Sequence, residues 1–239
     1  MITFSNLGKM GDLGNQLFQI AAVIGLANKN NDKYIFPEWK YKNYFNLYDC
    51  WGDVKPNNIY KEKEYTYNTI NVNSKSNIID LYGYFQSYKY FENVDLFIKN
   101  SFTPKISYGI QNITSIHVRR GDYLKLKTKY NQLNFDNYYS KAMSIINDDK
   151  YIVVSNDIDW CKYNFKGPKF TFSECKNEID DFAIMISCKN NIIANSTFSY
   201  WAAYLNANPN KKVVSPIIWG GPDLKLDTKD LLPKEWIKI

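Results

Sequence analysis

Ile116-His117-Val118-Arg119-Arg120-Gly121-Asp122-Tyr123 is the stretch on which the reading of this chain turns. Ile113, Ile116 and Val118 supply the apolar positions of a short, largely buried strand, and two arginines, a glycine, an aspartate and a tyrosine follow without a spacer. In an open α/β sheet, ligands bind outside the carboxyl ends of the strands, so two guanidinium groups at such an end face a crevice. Guanidinium forks stay charged at any working pH and grip phosphate oxygens in pairs, each charge-assisted bond contributing roughly 1.5–3 kcal/mol. A second reading is purely local: Arg-Arg-Gly-Asp forms a turn in which Asp122 pairs one arginine and Gly121 supplies a positive φ. The loop by itself supports both.

On its C-terminal side the chain alternates. Helices are expected over Phe135–Ile146, Ile158–Asn164, Ile179–Lys189 and Phe198–Asn206. Strands are expected over Tyr151–Ser155, Lys169–Phe172, Asn191–Ala194 and Lys212–Ser215. Strand–helix alternation predicts a parallel sheet covered on both faces. Two strand ends carry polar residues. Ser155-Asn156-Asp157 ends one, and Asn195-Ser196-Thr197-Phe198-Ser199 leaves another and opens a helix, where hydroxyls and backbone N–H groups suit a phosphate and also suit ordinary N-capping. Asp157-Ile158-Asp159 has the D-x-D spacing of a metal-held diphosphate. Asp159 fits better in the first turn of the helix, and the arginine pair already supplies positive charge.

On the N-terminal side, Ile2–Phe4 reads as a strand, Gly8, Gly11 and Gly14 as a glycine loop, and the apolar run from Asn15 to Ala27 as a buried helix. The spacing is neither G-x-G-x-x-G nor the P-loop pattern. Asn15 and Gln16 suit either sugar hydroxyls or capping. Lys33–Phe36 and Asn77–Leu81 read as strands, Tyr82–Ser87 as a turn and Tyr88–Lys99 as a helix. Trp39 to Tyr67 shows no clear period, and its aromatics (Trp39, Tyr41, Tyr44, Phe45, Tyr48, Trp51) suit either a stacking platform for a sugar or local packing.

Composition bounds the function. The chain has 239 residues, 45% hydrophobic and 17% aromatic, enough for one large domain or two small ones with real cores. The net charge of +6 is scattered and lacks the basic run of a nucleic-acid tail, so no nucleic-acid partner is expected. Cys50, Cys161, Cys175 and Cys188 show no C-x-x-C spacing and there is one histidine, which predicts packed thiols, a cytoplasmic location and no zinc site. No signal peptide and no apolar run of spanning length are read, which leaves peripheral association with a membrane surface open. Asn112-Ile113-Thr114 and Asn195-Ser196-Thr197 match the glycosylation pattern, without consequence in such a chain.

Five motifs in order carry a resemblance. They are Leu13-Gly14-Asn15-Gln16-Leu17-Phe18-Gln19, Gly83-Tyr84-Phe85-Gln86-Ser87, His117 to Tyr123, Ser155 to Trp160, and Ile193 to Trp201, and the ending Leu232-Pro233-Lys234-Glu235-Trp236-Ile237 agrees with them. Together they resemble glycosyltransferase family 11, the α-1,2-fucosyltransferases. The resemblance implies an α/β fold of the GT-B type, two Rossmann-like domains facing each other across a cleft. The domains expected are residues 1–108 on the acceptor side and 109–239 holding GDP-β-L-fucose, the last segment packing back on the first domain.

It further implies a metal-independent, inverting transfer to the 2-hydroxyl of a galactose-terminated glycan, with GDP-fucose as co-substrate and no cofactor. Arg119 or Arg120 would bind the β-phosphate, His117 and Asp157 would lie near the guanine or ribose, Ser196, Thr197, Phe198 and Ser199 would hold the phosphates, and Gly14 and Asn15 would line the cleft. Preorganised arginines act on charge that develops as GDP departs. Three departures stand out: Asp12 replaces the second of two glycines, Asn156 replaces a common acid, and the chain is short. The transfer needs a general base, which the motifs do not identify. Asp122 is the carboxylate inside the arginine motif but suits an arginine's partner better, and Asp12 and Glu38 qualify by position alone. Another GDP-sugar transferase and a noncatalytic sugar-binding module are the rival readings.

Overall fold

In the computed structural model, which describes residues 1–72, 77–224 and 226–239, the alternating second half becomes a six-stranded, all-parallel sheet. By contacts the chain divides into two units, Ile106–Leu226 with Lys234–Ile239, and Met1–Lys105 with Asp227–Pro233. The first change of unit falls slightly ahead of the break expected after residue 108.

In chain order the elements of the six-stranded unit are β4 (Thr114–Val118), α3 (Ser140–Ile146), β5 (Tyr151–Ser155), α4 (Ile158–Asn164), β6 (Phe170–Phe172), α5 (Glu178–Ser187), β7 (Asn190–Ile192), α6 (Thr197–Leu205), β8 (Val213–Ser215) and β9 (Ile237–Lys238). The sheet runs β6-β5-β4-β7-β8-β9. Relabelled one to six by appearance, this is the 3-2-1-4-5-6 order of a Rossmann-like sheet. The connections leave β4 toward one edge and β7 toward the other, and the crevice opens where they part. β4 is buried over its whole length, as a central parallel strand must be. Ile116, Val118, Tyr151, Val153, Ile192 and Val214 form the core with Tyr138, Tyr139 and Phe165.

The segment expected as a helix over Phe135–Ile146 starts with a wider π turn, Phe135–Tyr139, before α3. Asn134 caps it by accepting from Asn137 N, and the turn swings two buried phenols onto strand ends. Tyr138 donates to Ile193 O and Val214 O, and Tyr139 donates to His117 O.

The other unit holds β1 (Ile2–Thr3), α1 (Leu13–Lys29), β2 (Asn58–Lys61), β3 (Ile79–Tyr82) and α2 (Asp95–Phe102), with the three strands parallel in the order β1-β3-β2. Helix α1 is buried nearly all round, which its apolar run requires. Three expectations are corrected here, and one open alternative is decided. Gly14 lies inside α1, because the helix starts at Leu13 rather than at Asn15. Lys33–Phe36 forms no strand; Tyr34 makes a single bridge to Ile2 of β1, and Phe36 makes another to Trp51 outside the sheet. Tyr88–Lys99 is not one helix but two 3₁₀ turns, Tyr88–Tyr90 and Glu92–Val94, followed by α2. The cause is the surface of α1: a Cβ on Gly25 would stand 2.0 Å from Tyr90 O, and Asn93 donates to Gly25 O, so the segment follows α1 instead of winding freely. Of the two readings of the aromatic segment, local packing holds for Trp39 and Phe45. Trp39 is 2% exposed and stacks on Phe45 and Trp51 at 5.5 and 5.9 Å, which is core packing, whereas Tyr48 stays exposed.

Candidate active site

β4 ends at Val118, so Arg119 and Arg120 emerge at the carboxyl end of the strand beside the parting of the connections. Both are clamped. Arg119 lays Nε and Nη2 on the two oxygens of Asp122, each at 3.0 Å, and its guanidinium stands 5.5 Å over the Tyr123 ring, itself stacked on Tyr130 at 4.0 Å. Arg120 donates from Nε to Asp157 Oδ2 at 3.0 Å and lies 4.2 Å over Trp160. Its backbone N donates to Asn156 Oδ1. Among the described residues Arg120 is held through Nε, which leaves its two Nη groups for an anion.

The glycine between arginines and aspartate has a specific task. A Cβ on Gly121 would meet Asn156 Nδ2 at 2.5 Å, so the absent side chain lets Asn156 reach both Arg120 N and Asp122 Oδ1. Asp122 accepts from Arg119 and Asn156 on both oxygens. It is placed as an arginine's partner, not as an open base.

Asp157 caps α4 by accepting from Trp160 N, and its other oxygen holds Arg120. Asp159 lies in the first turn of α4, and among the described residues no cluster of three His, Cys, Asp or Glu is assembled to hold a metal ion. His117 is 4% exposed, its ring 5.5 Å from Phe198 and its Nδ1 without a partner among the described residues. Burial, with the Arg119 charge behind it, pulls its pKa down to about 3, so the imidazole is neutral at neutral pH.

Beyond β7, Asn195 donates to Asn131 O and Trp219 O, while its own carbonyl accepts from the Tyr123 hydroxyl. The side-chain Oδ1 of Asn195 is buried without a partner among the described residues. Ser196 occupies the N-cap of α6 without a side-chain cap bond, and Thr197 and Phe198 are half-buried in its first turn. The Ser199 hydroxyl is fully buried and donates inward to Ser196 O and Ala194 O, so it does not point at a ligand.

In the three-stranded unit, Asn15 Oδ1 accepts from Gln86 Nε2 at 2.7 Å, and Gln86 Oε1 accepts from the Tyr65 hydroxyl at 2.7 Å. Gln16 is spent between Gly11 O and the Trp39 indole, and Gln19 donates to Met10 O and Gly83 O. Asp12 caps α1 by position without a side-chain cap bond, and exposed Glu38 pairs Lys42. Tyr130 is a partner of the arginine loop that the sequence reading did not single out, and Asn156 and Trp160, named there only within motifs, bond and stack on the arginines.

The sequence model of glycosyl transferase family 11 matches residues 20–239. An O-antigen biosynthesis glycosyltransferase, WbnK, of Escherichia coli is 38% identical over 54% of this chain and 45% of its own length. An alpha-1,2-colitosyltransferase of Escherichia coli is 27% identical over 96% of both chains. Galactoside alpha-(1,2)-fucosyltransferase 2 of Hylobates lar is 24% identical over 98% of this chain and 78% of the relative. No helix among the described residues is long and apolar enough to cross a membrane.

Proposed function

The chain belongs to glycosyl transferase family 11, and from that premise we propose that it transfers L-fucose from GDP-β-L-fucose, with inversion, to the 2-hydroxyl of a terminal galactose in a glycan. The observation that carries this is the arginine pair at the carboxyl end of β4, clamped by Asp122 and Asp157 where the sheet connections part. A diphosphate leaving group gains charge as the bond to the sugar breaks, and donors fixed beforehand act on that charge without reorganising. Arg120, with two Nη groups to spare, takes the β-phosphate, while Arg119 adds its field and packs the Tyr123–Tyr130 wall.

Neutral His117 offers the guanine or ribose a hydrogen bond without adding a cation, and Asp157 sets Arg120. Ser196 and Thr197 contribute hydroxyls and first-turn amides of α6 to the phosphates. The GT-B arrangement and metal independence go with this reading, and so does donor binding by Gly14 and Asn15 close to the reacting centre.

A colitosyl donor is the second reading, favoured by the relative that matches end to end. The test is a donor panel: purified protein with GDP-fucose or a colitosyl donor, galactosides as acceptors, GDP release followed by linkage analysis of the product. A 2-linked fucosyl galactoside is expected. Transfer from the colitosyl donor alone, or a different linkage, overturns the specific assignment. GDP that fails to bind by calorimetry favours a noncatalytic module.

A further inference from the structure

Val118 and Ser155 pair at the ends of β4 and β5, so Asn156 leaves its strand beside Arg119, next to the arginine loop. There one planar amide serves two partners at once. Its Oδ1 accepts from Arg120 N at 2.9 Å, and its Nδ2 donates to Asp122 Oδ1 at 3.3 Å. Asp122 is the carboxylate that holds Arg119, and Asp157, the residue after Asn156, is the one that holds Arg120. Asn156 therefore ties the backbone of one arginine to the anchor of the other. All of these contacts lie within the six-stranded unit.

The place is demanding in shape and in charge. A carboxamide carries an acceptor and a donor on one rigid group, which is what Arg120 N and Asp122 Oδ1 together require. A carboxylate of the same shape would still accept from Arg120 N, but it would set a lone pair against Asp122 Oδ1. The two guanidinium groups and their two carboxylates already cancel in charge. One more acid would leave the loop net negative and raise the barrier to any anion that approaches it.

We propose that Asn156 is a positioning residue of the transfer: it joins the two arginine clamps into one unit and keeps that unit free of a third negative charge. Asn156 is exposed, and each of its bonds is open to water, so their contribution to global stability is small. Their effect falls on the path of the backbone at Arg120, and through it on the guanidinium that Asp157 and the Trp160 ring hold on the other side.

The inference rests on the proposed function in taking a nucleoside diphosphate as the anion, and the experiment separates the two. Wild type, Asn156→Ala, Asn156→Asp, Arg120→Ala and the double variant Arg120→Ala with Asn156→Ala are compared. The readouts are kcat/KM with the donor that wild type uses, GDP affinity at low and high salt, and melting temperature. Asn156→Ala is expected to lose about tenfold in GDP affinity and in kcat/KM, with a melting temperature within about 2 °C of wild type. Asn156→Asp should lose about fivefold more, and about 0.5 M salt should remove most of that extra loss, because it comes from charge at an exposed position. In the Arg120→Ala background, removing the Asn156 side chain should change kcat/KM by less than about twofold, since no guanidinium is left to position.

Asn156→Ala within about twofold of wild type overturns the assignment. So does a full loss in the Arg120→Ala background, which marks a brace that acts independently of the arginine. An Asn156→Asp variant no weaker than Asn156→Ala overturns the part played by charge. Where wild type binds GDP and transfers sugar, these failures fall on Asn156 alone. Wild type that binds no GDP overturns the proposed function, and Asn156 with it.

Discussion

At the carboxyl edge of the six-stranded sheet, Arg119 and Arg120 each meet a carboxylate at 3.0 Å, whereas at the same edge of the three-stranded sheet Glu62 meets two backbone amides and no cation among the described residues. The two edges are built from the same parallel geometry, so the contrast lies in what the side chains are allowed to do. Guanidinium groups paired in advance cannot change charge, and their positions are settled before a ligand arrives. A desolvated carboxyl without a counter-ion can gain or lose a proton at little cost near neutrality. One edge holds paired cations at a strand end, and the other buries a carboxyl that bonds only backbone amides.

The largest effect should come from the arginines. Arg119→Ala and Arg120→Ala are each expected to lower turnover about a hundredfold or more, roughly 2.7 kcal/mol, as removal of one preorganised donor does. Arg120→Ala should in addition weaken GDP in calorimetry, because its Nη groups are the ones left open. Near-normal turnover in both variants would erase the distinction between the edges.

Acid unfolding sharpens the comparison next, since the edges carry opposite signs. His117 titrates at about 3 when folded against an ordinary 6.5, so its contribution is full above 6.5 and is lost as pH falls from there toward 3. Glu62 titrates at about 7 when folded against an ordinary 4.5, so its contribution is full below 4.5 and is lost as pH rises through 7. Between pH 7 and 5 the two offset each other, each by about 1–2 kcal/mol. Denaturant unfolding of His117→Phe should therefore gain stability on acidification relative to wild type, and Glu62→Gln should lose it. Parallel curves for all three proteins would refute the buried states assigned to these groups.

Smaller still is Gly121→Ala, in which the new Cβ displaces the Asn156 amide and loosens Arg120 N. A loss of about 1 kcal/mol in GDP affinity is expected, with little change in melting temperature. The smallest is Lys42→Met, which removes an exposed pair with Glu38 and should shift stability by less than about 0.5 kcal/mol.

Much of the six-stranded unit could be read from sequence because burial on both faces leaves an unmistakable apolar strand, and β5 and α4 fall where the pattern puts them. The order of the strands could not. Which neighbour β4 takes depends on packing between distant segments, and Ile116 looks the same whether β5 or β7 lies beside it. β2 was missed because three of its four residues are exposed at a sheet edge, where no apolar alternation is needed. Arg119, Arg120 and Asp122 were legible because their chemistry is local. Glu62 was not, since its burial is made by a turn some twenty residues on.

The short stretch Asp227–Pro233 belongs with Met1–Lys105, yet the chain then returns to set Ile237–Lys238 beside β8. Neither unit is therefore an uninterrupted length of polypeptide. During synthesis Asp230 reaches Lys89 and Tyr67 N only after almost all of the second unit has been made. A single proteolytic cut cannot release either one whole.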